Sequence, residues 1–252
     1  YAMVRFNEDG RLMVYSGESE LGQGSNTVFA QIAAEVLGLA IENIIIMPLD
    51  TDVSPFCNGT YSSRVTTVGG KAIFLACQKV REQLLNLAGK KMEVSPELLD
   101  IEGGIIYAKL DPDKKISIAE ICKLGIKTRA AIPLTAYVTY DPPTQGMDSN
   151  FYGDYSSAYN YAAHAVEVEI DTETGKVRVL RVMAAHDSGK IININGALGQ
   201  ITGGIAQGIG WTLYENLIYK NGVPQNTSLR NYTLMTISYI SHRPQIFIET
   251  HD

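Results

Sequence analysis

Basic residues are scarce in this chain. Of 252 residues, 21 are Lys or Arg and 27 are Asp or Glu, for a net charge of -6 and a pI near 5.3. That balance excludes a broad nucleic-acid surface, which needs clustered cations to neutralise phosphates. Long apolar runs are also missing. The tightest cluster, Ile44-Ile45-Ile46-Met47, is of strand length and far below the ~18 residues that cross a bilayer. No membrane partner is expected. Cysteine is sparse: Cys57, Cys77 and Cys122 are odd in number and far apart, so they build neither a disulfide framework nor an iron–sulfur or zinc site. The four histidines, His164, His186, His242 and His251, are isolated along the sequence, and no His or Cys cluster has metal-ligand spacing. A reducing cytoplasm fits this composition, with no signal peptide at the start. The chain opens at Tyr1 inside a strand-like segment and reads as part of something longer. No Walker pattern, nucleophile elbow or complete Gly-x-Gly-x-x-Gly fingerprint is present.

What remains is a globular composition, 45% hydrophobic and 19% charged, sufficient for one large or two small domains. Val4–Phe6 and Leu12–Tyr15 read as strands joined at Asp9-Gly10. A polar glycine-rich loop, Gly17–Thr27, runs into a helix carrying Val28, Ile32, Val36 and Leu37, with Gly38 as its stop. Ile44–Pro48 reads as a strand and Asp50–Ser63 as a long loop. A second helix is expected to start within Thr66–Lys71 and to end at Leu87. Hairpin-like segments near Leu98–Tyr107 and a short helix near Ile118–Leu124 follow. Further strands are expected at Ala163–Asp171, Lys176–Ala185, Glu215–Tyr219 and Gln245–Thr250, with a glycine-rich helix from about Gly196 to Tyr214. The Pro-, Gly-, Ser- and Tyr-rich stretch 141–160 marks the boundary between a first subdomain, 1–145, and a second, 146–252. The fold class is α+β, two α/β subdomains with mixed or antiparallel sheets.

The glycines demand an explanation. Gly196, Gly199, Gly203, Gly204, Gly208 and Gly210 share one helical span. Each costs up to ~1 kcal/mol against Ala there, so the group costs ~5 kcal/mol. Close backbone packing or a ligand lying on bared backbone could offset this. Gln23, Gln200 and Gln207 stand beside glycines, and a carboxamide both donates and accepts. The run Gly59-Thr60-Tyr61-Ser62-Ser63-Arg64 adds amides, hydroxyls and a guanidinium. It serves equally as an anion-binding loop or as a cap for the following helix. Asp187, in His186-Asp187-Ser188-Gly189, reads as a turn carboxylate.

These segments, in this order, resemble the xanthine dehydrogenase and aldehyde oxidase family of molybdenum hydroxylases. The match is carried by Glu20-Leu21-Gly22-Gln23-Gly24, by Ala30–Ile32 with Ala34-Glu35, and by Asp50–Pro55 followed by Gly59–Arg64. It continues in Asp187–Gly189 and in Gly199-Gln200, Gly203-Gly204 and Gln207-Gly208-Ile209-Gly210. The family's Gly-Gly-Phe-Gly-Gly segment is not here, and Ile194 stands where relatives commonly carry proline. The resemblance implies the molybdenum-cofactor-binding domain of the xanthine dehydrogenase type. It implies a molybdopterin in mono- or dinucleotide form, with no protein ligand to the metal. Carried over residue by residue, the cofactor-binding positions are Gly22, Gln23, Gly24, Thr60, Tyr61, Ser62, Ser63, Gln207 and Gly208. No catalytic residue is assigned: the family's general-base glutamate is expected beyond Asp252, and Glu249 lacks its glycine context. The implied activity inserts a water-derived oxygen into an aldehyde or N-heterocycle C–H bond, with electrons leaving through [2Fe-2S] clusters and FAD in partner domains or subunits. Implied partners are a chain or domain with the preceding half of the molybdenum site, an iron–sulfur subunit, a flavoprotein subunit and a small-molecule substrate. Residues 1–252 alone are expected to be inactive. The alternatives are a non-catalytic scaffold or interaction subunit of such a complex, and a nucleotide-binding protein using the first glycine loop.

Overall fold

The computed structural model describes residues 1–127 and 133–236, and the backbone of 245–249. The chain divides into two compact units, Tyr1–Ala158 and Tyr159–Asp252.

In the first unit, strands β1 (Ala2–Phe6) and β2 (Leu12–Ser16) show a period-two pattern. Ala2, Val4, Phe6, Leu12, Val14 and Ser16 are buried while the residues between them face outward. They pair antiparallel about the Asn7–Arg11 turn. β3 (Ile44–Ile46) joins β2 in parallel, and β7 (Thr135–Val138) joins β1 antiparallel, giving the sheet order β3-β2-β1-β7. The parallel β2–β3 pair requires a crossover, supplied by helix α1 (Ser25–Leu37). α1 ends at Gly38, whose φ of 58° and close approach to the Ile101 carbonyl leave no room for a Cβ. Helix α2 (Lys71–Met92) buries Ala72, Ile73, Ala76, Cys77, Val80, Leu84, Leu85, Ala88 and Met92, the i, i+3, i+4 stripe of a core helix. Phe29, Leu37, Ile73 and Leu84 are fully buried in the same core, each worth about 2–3 kcal/mol in transfer free energy. A second, antiparallel sheet of β4 (Leu99–Glu102), β5 (Ile105–Ala108) and β6 (Asp111–Ser117) leads into α3 (Ile118–Lys127).

In the second unit, β8 (Tyr161–Ile170) and β9 (Val177–Asp187) pair antiparallel, and β12 (Gln245–Glu249) joins β9 in parallel. Helix α4 (Ile194–Leu213) lays Ile205, flanked by Ile201, Ile209 and Leu213, on Val179, Val182 and Ala184 of β9. The i, i+4 spacing of those side chains makes one apolar stripe. The small hairpin β10 (Tyr219–Lys220) and β11 (Val223–Pro224) turns at Asn221-Gly222, both at positive φ.

The α+β class with mixed and antiparallel sheets agrees with the sequence reading; several boundaries differ. α2 continues five residues past Leu87, because Gly89 is held in the helix by close packing against the Val94 carbonyl and the Pro96 ring. Glu93, at φ 56°, then ends it. Residues 65–70 form a π-helical turn before α2. The expected strand Glu215–Tyr219 is mostly absent. There the Asn226 carboxamide accepts from the Ile218 amide at 2.9 Å and donates to the Asn216 carbonyl at 2.6 Å. A buried side chain thus replaces a neighbouring strand. Of the expected strand Gln245–Thr250, Thr250 lies outside the described residues.

Candidate cofactor-binding site

The first glycine loop and the second loop are sewn together. Glu18 is buried, and both its oxygens pair with Arg64 Nη1, at 3.0 and 3.1 Å. The same nitrogen approaches the Gly59 carbonyl at 2.9 Å and Cys57 Sγ at 3.4 Å. Two glycines admit this arrangement. A Cβ on Gly17 would strike the Pro55 carbonyl, and one on Gly69 would lie 2.8 Å from Glu18 Cγ. Thr60 completes the seam: its hydroxyl accepts from the Ser19 amide at 2.9 Å and donates to the Ser19 carbonyl at 3.1 Å. Burial, then the neighbouring Glu18, raises the Cys57 thiol above its ordinary value and keeps it protonated.

This geometry revises two readings of the second loop. Arg64 serves Glu18 and the loop backbone. Nor does the loop's Thr-Tyr-Ser-Ser run cap the next helix: Arg64 takes the cap position with no side-chain hydrogen bond. What distinguishes Ser62 and Ser63 is strain. Both are exposed and left-handed, at φ 52° and 54°, a conformation costing roughly 1–2 kcal/mol per non-glycine residue. Neither hydroxyl has a hydrogen-bond partner among the described residues. Strain of this kind collects at ligand clamps, and the π-helical turn that follows is another irregularity frequent at functional sites. Tyr61, also exposed, lays its ring against Gly59.

The first loop offers less than its glycines suggest. The amides of Gly22 and Gly24 both donate to Glu20 Oε1, at 2.9 Å each. The amide of Asn26 and the hydroxyl of Ser25 donate to Oε2, at 3.0 and 3.2 Å. Desolvation opposes the charge, but the three amides and the hydroxyl outweigh it and hold the Glu20 carboxyl below its ordinary range. Gln23 is folded inward. Its Nε2 donates to the Ser19 carbonyl and Ser25 Oγ, and its Oε1 accepts from the Leu21 amide at 2.6 Å.

In α4 four of the six glycines lie open. Asn193 caps the helix through the Gly196 amide at 2.8 Å. Gly199, Gly203, Gly204 and Gly208 have no heavy atom within 4 Å of where a Cβ would stand. Helix–sheet packing therefore does not account for them among the described residues. The backbone is bared along α4, with Gln207 exposed and its carboxamide unpartnered among the described residues. Gly204 and Gly208 also border an apolar cleft of about 430 Å³ beside Val166, Val168 and Val179.

Two histidines far apart in sequence meet. His164 and His186 place their Nε2 atoms 2.8 Å apart across β8 and β9, so one ring donates and the other accepts. Burial, then repulsion from a charged His164, lowers the affinity of His186 for a proton. Sequence spacing hides this pair because the strand register creates it. Asp187 accepts from the Gly189 amide at 3.3 Å, the turn role expected of it. No group of three metal-ligating side chains occurs among the described residues.

The second loop thus offers two hydroxyls without partners among the described residues, and α4 separately offers an exposed face of bare backbone beside Gln207. Comparison with known proteins identifies the family. Residues 1–241 match the molybdopterin cofactor-binding domain; the chain belongs to that family, within the molybdenum-binding subunits of the xanthine dehydrogenase type. It is 37% identical over 232 residues to the gamma subunit of the 6-hydroxypseudooxynicotine dehydrogenase complex of Paenarthrobacter nicotinovorans, covering 92% of this chain and 28% of that protein. It is 30% identical to a putative xanthine dehydrogenase molybdenum-binding subunit of Escherichia coli, covering 100% and 32%. Among solved structures, quinoline 2-oxidoreductase from Pseudomonas putida 86 superposes with a TM-score of 0.83 at 33% identity, over 100% of this chain and 31% of that one. Reconstituted CO dehydrogenase from Oligotropha carboxidovorans gives 0.86 at 25% identity, over 99% and 30%. The chain thus spans about a third of the length of the relatives it matches.

Proposed function

We propose that this chain is the cofactor-holding part of a molybdenum hydroxylase acting on a C–H bond of an aldehyde or N-heterocycle. The observation that carries the reading is the row of glycines on α4 that no packing within the described residues explains. Four such glycines cost up to ~4 kcal/mol in a helix interior, and a planar cofactor pressed against bared backbone offsets that cost. When bound, the molybdopterin supplies the redox chemistry by which a water-derived oxygen enters the substrate. The chain's own residues bind and orient it. The hydroxyls of Ser62 and Ser63, with Tyr61 beside them, would serve its polar edge, and Gln207 and the backbone at Gly208 would serve its pterin or phosphate region. Gln23, whose hydrogen bonds stay within the first loop, would contribute through the shape of that loop. Thr60, with Gly22 and Gly24, shapes the first loop and its seam to the second. No residue of this chain is assigned the proton-abstracting role.

The partners in this reading are the segment carrying the other half of the molybdenum site, an iron–sulfur protein and a flavoprotein. The naming of one relative as a subunit of a dehydrogenase complex supports a multi-subunit assembly. No described helix is long and apolar enough to cross a membrane. The test is molybdenum and pterin analysis of the purified assembly, wild type beside Gln207→Ala. The reading expects near-stoichiometric cofactor in the wild type and a several-fold loss in the variant with assembly intact. Absence of molybdenum and pterin from the wild type under cofactor-sufficient expression would refute it.

A further inference from the structure

The acid at the mouth of the first glycine loop has a role that neither glycines nor glutamines explain. Four donors converge on the Glu20 carboxylate: the amides of Gly22, Gly24 and Asn26 and the hydroxyl of Ser25, all between 2.9 and 3.2 Å. A carboxylate offers about four lone-pair sites, so this one is saturated. Ser25 is itself buried and also accepts from Gln23 Nε2 at 3.2 Å. The carboxylate, the hydroxyl and the carboxamide therefore form one closed network at the start of α1, where the helix dipole favours a negative charge. Gly24 occupies the N-cap with no side-chain cap of its own; Glu20 fills that role from outside the helix.

Two roles fit such an acid. It could hold the amides only until an anionic ligand displaces it, or it could keep them permanently and set the shape of the loop. Saturation, together with the capture of both Gln23 N–H groups inside the same network, favours the second. We infer that Glu20 is a positioning residue: it fixes residues 20–26, the Gln23 carboxamide among them, in the shape that the cofactor meets. The inference rests on the cofactor-holding reading above, and it makes the Gly22 and Gly24 amides parts of the loop rather than contacts to the cofactor.

The experiment uses the full-length protein in its complex and compares wild type with Glu20→Gln, which keeps the size but turns one acceptor oxygen into a donor. Two quantities are read: hydrogen exchange over residues 20–27, with the α2 segment as folding control, and pterin content by fluorescence. Glu20→Gln is expected to speed exchange at residues 22–26 by about tenfold, the worth of one charge-assisted hydrogen bond, and to lower pterin content several-fold while α2 stays protected. Should Glu20→Gln not fold, Ser25→Ala carries the same test with a smaller expected loss. A rise in pterin content overturns the inference, because Glu20 then competes with the cofactor. Unchanged pterin content overturns it as well, whatever the exchange shows. Wild type lacking pterin altogether would sink the functional reading instead, while the exchange comparison would still report whether Glu20 holds the loop.

Discussion

Replacing Arg64 by alanine should unseat both loops of the first unit at once. The Glu18 side chain is 3% exposed and that of Arg64 18%. Arg64 Nη1 is also the group that meets the Gly59 carbonyl and Cys57 Sγ. Deleting one member of a buried pair leaves the other charge without compensation and costs about 3–5 kcal/mol. Arg64 retains some contact with water, so the lower end applies, about 3 kcal/mol. At roughly 2–4 °C per kcal/mol for a domain of this size, the melting temperature should fall by about 6–12 °C. Removing both charges together, Glu18→Leu with Arg64→Met, should cost less than Arg64→Ala alone, since no stranded charge remains. The assay is thermal unfolding of wild type, both single variants and the double variant in the full-length protein. A loss below about 1 kcal/mol for Arg64→Ala, the level of an exposed pair, would refute the reasoning, as would a double variant as damaged as the sum of the singles.

Glycine at position 62 or 63 should relieve left-handed strain and leave stability unchanged or raised by up to ~1 kcal/mol. Pterin content should nevertheless fall, because the hydroxyl is gone; a denaturation midpoint and a pterin assay on the same sample check both halves. Gly208→Ala should stabilise α4 by roughly 0.5–1 kcal/mol, since helix propensity improves and nothing stands within 4 Å of the new methyl. Cofactor content should drop in that variant; full retention would show that the cofactor does not lie there. For His186 the folded chain resists protonation, so the unfolded chain binds the extra proton. Stability contributed by the histidine pair is present above the ordinary value of 6.5 and is lost as pH falls below it. His164→Asn should move the His186 titration midpoint upward in an NMR titration; no movement would show that His164 exerts no repulsion on it.

Much of the fold was readable because it follows from local rules. The Asp9-Gly10 turn signal named β1 and β2, the Val28–Leu37 spacing and Gly38 named α1, and the glycine-rich span located α4 to within two residues at each end. The misses share one physical cause, namely structure made by side chains reaching across the chain. Nothing local announces that Asn226 will stand in for a strand beside Asn216 and Ile218. Nor does the sequence reveal that strand register will bring His164 to His186. The hairpin at Asn221-Gly222 did carry a signal, since Asn-Gly favours this turn, but the strands flanking it are too short to show a pattern. Within the site, the loops and their residue types could be listed in advance, whereas the allocation of their donors could not. Arg64 looked like an anion receptor and serves Glu18, and the glycine amides looked open and serve Glu20. An acid two residues before Gly22, at the approach to a helix N-terminus, is the signal that would have found Glu20.

The central proposal is that the bared backbone of α4 holds a molybdopterin. A density map of the cofactor-loaded full-length complex tests it most directly. The account predicts pterin or phosphate atoms against α4 at Gln207 and Gly208. Density for a molybdopterin that stays clear of α4 would contradict it.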